Sequence, residues 1–83
     1  MTLNYQKLLE DIVKSLVLFP DDVNVTLVEK EEEKFLDASV KVNEKDLGRV
    51  IGHKGHTINS IRSIFYAVVQ KDDLKIKIEV VTN

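Results

Sequence analysis

A two-layer α+β fold, with a three-stranded sheet covered on one face by three helices in the order α-β-β-α-α-β, is what this sequence predicts. Three observations carry it. Three segments alternate apolar with polar residues, three others space their apolar residues by three and four, and no cysteine is present to staple a smaller core. Strands that hide only one face need a single layer of helices against them and leave the opposite face wet.

The first helical segment begins at Tyr5, from which apolar residues fall at positions 5, 8, 9, 12, 13 and 16 along one stripe. Asn4 or Thr2 supplies its cap, and Pro20, followed by Asp21 and Asp22, closes it in a turn. Val23, Val25 and Leu27 alternate with Asn24 and Thr26, and Leu36, Ala38, Val40 and Val42 alternate with Asp37, Ser39 and Lys41, which gives two half-buried strands. The charged run EKEEEK at residues 29 to 34 joins them as a solvated hairpin connection and is assigned no chemistry. Asn43 then caps a short helix whose Leu47, Val50 and Ile51 share a side, and Gly52 ends it. After Gly55 a longer pattern from about Thr57 to Val69 places Ile58, Ile61, Phe65, Val68 and Val69 on one face. Lys71, Asp72 and Asp73 turn the chain into a last strand, in which Leu74, Ile76, Ile78 and Val80 alternate with Lys75, Lys77 and Glu79. No repeat or linker interrupts this order, so one domain spanning residues 1 to 83 is expected.

Composition excludes several classes of function. Hydrophobic residues make up 43% and charged residues 31%, the balance of a folded rather than a disordered chain. Lys7, Glu10, Asp11 and Lys14 break up the N-terminal apolar residues, which argues against a signal peptide or membrane insertion; with no cysteine, a cytoplasmic location is expected. No metal or cofactor is expected: His53 and His56 straddle a glycine turn, and neither a cysteine nor a nearby carboxylate completes a site. GHKGHT lacks the longer glycine spacing and the Lys-Ser/Thr pair of a nucleoside triphosphate loop. Ser60 and Ser63 lie on a helix without a base and orienting acid beside them, so no catalytic residue is assigned and an enzyme is not expected.

The net charge of −2 misleads, because the charge is polarised. Residues 41 to 62 hold Lys41, Lys45, Arg49, Lys54 and Arg62 against Glu44 and Asp46, whereas the rest of the chain is acidic. At the centre of the basic stretch, Gly52-His53-Lys54-Gly55 joins two helices. Glycines at both ends permit backbone turns denied to other residues and let the loop approach a ligand closely. Unpaired amides at the start of the following helix suit phosphate oxygens, Lys54 adds a mobile charge, and His53 and His56 add conditional ones. Alone, Gly-x-x-Gly also fits a tight helix-to-helix turn.

Its setting is more specific. The string DLGRVIGHKGHTINSIRSI, with strands at both outer ends and a further helix and strand on the N-terminal side, resembles a type II KH domain, in which a GXXG loop between two helices grips nucleic-acid backbone. Over essentially the whole chain the sequence is similar to the bacterial KhpA (YlqC) family. That resemblance implies a binder of single-stranded RNA in which Gly52, His53, Lys54 and Gly55 form the clamp. Arg49, His56 and Arg62 would flank the groove, and Val50, Ile51 and Ile58 would form its apolar wall. His53 and His56 stand where the family commonly has arginine or lysine. The resemblance further implies post-transcriptional regulation linked to cell elongation and division, through a homodimer or a heteromer with a larger KH-containing partner of the KhpB/EloR/Jag type. The helical wheel supplies a surface for such pairing: Ser60, Ser63 and Ala67 lie on the small, flat back of the second long helix and Ile64 on its flank. Ile64 can equally widen the core. An interaction adaptor with weak RNA binding, and a ribosome-assembly factor, remain the alternatives.

Overall fold

Residues 4 to 82 are described by the structure, a computed structural model. Helix α1 (Tyr5–Lys14) precedes the hairpin of β1 (Asn24–Lys30) and β2 (Phe35–Val42); then come the short α2 (Leu47–Ile51), the long α3 (His56–Gln70) and β3 (Lys75–Thr82). Single 3-10 turns occupy Pro20–Asp22, Glu31–Glu33, Glu44–Asp46 and His53–Gly55. The sheet runs β1-β2-β3, with β1 antiparallel and β3 parallel to the central β2. A parallel pair needs a long crossover. Here that crossover is α2 and α3, so the glycine loop sits in the connection from β2 to β3.

The expected layering is present. Val25, Leu36, Ala38, Val40, Ile76 and Ile78 point from the sheet into one core, and Leu9, Val13, Val50, Phe65 and Val69 meet them from the helices. Register places Leu27 opposite Ala38 and Ala38 opposite Ile78, so a row of small and branched side chains crosses all three strands. On the wet face the same registers bring Lys30, Phe35 and Lys75 into a row.

Asn4 caps α1, its Oδ1 accepting from the Lys7 amide at 3.0 Å; Thr2, the other expected cap, lies outside the described residues. The helix stops at Lys14, short of Pro20, and Leu16 is left 36% exposed instead of continuing the buried stripe. A tertiary contact is the reason: the amides of Leu18 and Phe19 each donate to the Asp46 carboxylate at 3.0 Å and so cannot close further helical turns. The expected helix after Asn43 is likewise divided. Asn43 Oδ1 accepts from the Lys45 amide at 2.8 Å and caps a 3-10 turn, from which α2 then starts.

Candidate nucleic-acid interface

Gly48 accepts the Gly52 amide at 2.8 Å and closes α2; the chain then leaves the helix with Gly52 at φ +78°. A Cβ on Gly52 would stand 2.2 Å from Thr57 Oγ1 and 2.8 Å from the Thr57 nitrogen, so only glycine fits against the first turn of α3. Lys54 adopts a left-handed backbone at φ 54°, and Gly55 follows at φ +76°. Around Gly55 there is space, the nearest atom to an added Cβ being Asn59 Nδ2 at 3.7 Å. Three positive-φ residues in four turn the chain back on itself. The loop thereby delivers His53 and Lys54, both exposed, beside the start of α3.

No side chain caps α3. The His56 amide donates to the His53 carbonyl, and beyond it the positive end of a 15-residue helix dipole lies open to an anion. Among the described residues, the side chains of His53, Lys54 and His56 make no hydrogen bond or ion pair, so their polar atoms are available to a ligand. The two imidazoles stand edge to face with centroids 6.4 Å apart. No group of three His, Cys, Asp or Glu side chains converges among the described residues.

Arg62 is held at the cleft between α3 and β3. Its Nη2 donates to the Ile78 carbonyl at 3.1 Å, Nε to the same oxygen at 3.3 Å, and Nη1 to Asn59 Oδ1 at 3.2 Å. The cleft, about 450 Å³, is lined by Asn59, Arg62, Ser63, Tyr66, Lys77 and Ile78. Asn59 and Ser63 also border a shallower depression that reaches His56, which makes the surface continuous from the loop into the cleft. β3 is an edge strand, so its outer backbone groups face this cleft without a strand partner.

Two expectations about the groove need correcting. Val50 is 0% and Ile58 4% exposed, so both belong to the core beneath the loop and have no surface to offer as a groove wall; Ile51 alone of the three is half-buried. Val50 is the one residue of the five-residue α2 turned fully into the core, and Ile58 opens the buried stripe of α3 that continues through Ile61, Phe65 and Val69. Arg49 is exposed but folds back toward the start of α2, its Nη1 donating to the Lys45 carbonyl at 3.2 Å and lying 3.7 Å from Asp46 Oδ1, because helical side chains lean toward their N-terminus. Ser60, Ser63, Ile64 and Ala67 are all exposed on one face of α3, Ile64 at 53%, which settles that Ile64 does not widen the core.

Sequence reasoning missed Asp46, Asn59, Tyr66 and Lys77. Tyr66 carried a signal, being a large aromatic outside the core stripe. Asp46 carried none, since a carboxylate next to a helix start reads as a solvated cap, whereas here it is 0% exposed and holds two distant amides.

The family model described as KhpA/KhpB, KH domain matches residues 6–80. An RNA-binding protein KhpA of Listeria monocytogenes is 40% identical over 76 residues, covering 92% of this chain and 97% of the relative. One of Clostridium acetobutylicum is 37% identical over 76 residues, with 92% and 99% covered. A third, of Lactiplantibacillus plantarum, is 41% identical over 61 residues, with 74% and 69% covered.

Proposed function

Since the chain belongs to the KhpA/KhpB family of KH domains, we propose that it binds single-stranded RNA by gripping the sugar-phosphate backbone at residues 52–55. The observation that carries this reading is the loop itself: a glycine-turned bend that sets the side chains of His53, Lys54 and His56, none of them in a hydrogen bond or ion pair among the described residues, beside the N-terminus of α3, which no side chain caps. Backbone amides and mobile cations at one place suit successive phosphates rather than a single small anion. Bases then fall toward the α3/β3 cleft, where Asn59, Arg62 and the edge of β3 offer donors and acceptors. Nothing in this arrangement calls for a reaction; the role is binding, in the cytoplasm, by one domain.

The flat face of Ser60, Ser63, Ile64 and Ala67 supports the rest of the proposal, a homodimer or a heteromer with a larger KH protein of the KhpB/EloR/Jag type acting in post-transcriptional regulation of elongation and division. Doubling a clamp raises the effective concentration of the second site to about the millimolar range when one strand reaches both. The same face also favours a second reading, an adaptor whose main task is to dock its partner.

Replacing His53 and Lys54 together by aspartate separates these readings. The double variant loses RNA binding in a gel shift with short single-stranded RNAs and keeps the circular dichroism of the parent; binding equal to the parent's rejects the clamp. For the dimer, Ile64→Asp gives a folded monomer by light scattering. A parent already monomeric at high concentration removes the homodimer.

A further inference from the structure

The surface continuous with the loop does not end at Arg62. Tyr66 is 46% exposed, borders the cleft described above, and also borders a second depression of about 300 Å³ whose apolar floor is Val69, Leu74 and Ile76 and whose rim carries Lys75. It is therefore the one side chain shared by the two. Its hydroxyl has no hydrogen-bond partner among the described residues. An exposed aromatic ring with neither a packing role in the core nor a polar anchor is available to a ligand.

Position along α3 matters as much. Asn59, Arg62, Tyr66 and Gln70 follow one another at helical spacing on the side facing β3. Eleven residues separate Gly55 from Tyr66, about 16 Å along a helix. A single strand with a stacked rise of about 3.4 Å per nucleotide covers that distance in about five nucleotides, and an extended strand in fewer. Lys75, Lys77 and Arg62 line the path, and no carboxylate lines either depression. A peptide strand would find only a short apolar floor there, whereas a nucleic-acid strand finds cations for its phosphates and a π face for a base.

Resting on the RNA reading above, we infer that Tyr66 is a stacking platform for an unpaired base. It forms a second RNA contact that follows the glycine loop along α3, with Lys77 and Lys75 placed for the phosphates beside it. Stacking tolerates any base because every base has a π face, so this contact adds affinity and length dependence rather than sequence preference.

The test uses the full chain and a single-stranded RNA of about eight nucleotides carrying a fluorescent adenine analogue at one position at a time. The parent quenches the analogue at a position distant from the clamped phosphates. Tyr66→Ala abolishes that quenching and weakens binding about tenfold or more, and Tyr66→Phe, which keeps the ring, restores both. Thermal denaturation and light scattering accompany each variant. Undiminished binding by Tyr66→Ala, alongside loss in the His53/Lys54 aspartate variant, overturns the platform and leaves the clamp standing. A parent that binds no RNA overturns both. Should Tyr66→Ala turn a dimer into a monomer, with binding falling only in step, the ring is a protein contact and the platform is rejected.

Discussion

At the N-terminal end of α3, Lys54 holds a left-handed backbone between two glycines, and neither it nor His53 or His56 makes a side-chain hydrogen bond or ion pair among the described residues. At the C-terminal end Asp73 holds a similar conformation at φ 59°, but its carboxylate meets Lys34 Nζ at 2.8 Å, and Lys34 is itself left-handed at φ 52°. Asp72 beside it accepts the phenol of Tyr5 from α1. The hydrogen bond between Lys34 and Asp73, with their opposite charges second, raises the lysine and lowers the aspartate from their ordinary values. Two turns of one helix thus share a backbone device and differ in what their side chains are given to do. One turn ties its exposed side chains to each other, and the other leaves them to solvent, where the proposed RNA contact would meet them.

The sharpest way to break this comparison is steric. Gly52→Ala drives a Cβ into Thr57 and demands a positive φ, and roughly 3 kcal/mol of stability should be lost together with RNA binding. Gly55→Ala meets open space and should lose only about 1–2 kcal/mol, the cost of a left-handed residue with a Cβ. Urea denaturation of both variants checks the difference, and equal losses would mean that the loop does not depend on packing against Thr57.

An intermediate effect belongs to the far turn. The hydrogen bond to Asp72 first, then burial, then the aspartate charge push the Tyr5 phenol from 10.0 up to about 12. A raised folded value means that the neutral phenol is favoured in the fold. Its contribution is therefore complete below pH 10 and is lost as pH rises toward about 12. Tyr5→Phe should be about 1 kcal/mol less stable at neutral pH, and its melting temperature should fall less than the parent's across that alkaline window. Parallel pH profiles would remove the phenol from the account.

Smallest is the release of strain at the loop. Lys54→Gly should raise stability by about 0.5–1 kcal/mol while weakening RNA binding, since glycine accepts the left-handed backbone but carries no charge. Lys34→Gly should gain less, because it also breaks the pair with Asp73. An affinity unchanged by Lys54→Gly would show that the side chain is idle.

The site was legible in the sequence to the extent that it is local. Gly52 and Gly55 announce a turn by their type, and the stripe of Ile58, Ile61, Phe65 and Val69 predicts both the helix and, by subtraction, the exposed back with Ser60, Ser63 and Ala67, whereas only the fold placed the flanking Ile64 outside the core. The apolar string around the loop misled at Val50 and Ile58. Apolar type reports that a residue is buried somewhere, and whether it faces a core or a groove depends on how the helices on either side of the loop dock on the sheet.

By itself, then, the sequence determined the element order, the one-sided sheet, the polarised charge and the position of the glycine loop, all of which are set by periodicity and residue type over short spans. Tertiary structure decided the parallel docking of β3 on β2, the end of α1, the burial of Asp46 and the cleft that joins Asn59, Arg62 and Tyr66 to Lys77 and Ile78. Those features pair residues far apart in the chain. The Asp46 carboxylate, taken out of water, is held there by amides from a loop 27 and 28 residues earlier. No local pattern encodes such a partner, because the stabilisation exists only once packing has brought both groups out of solvent together.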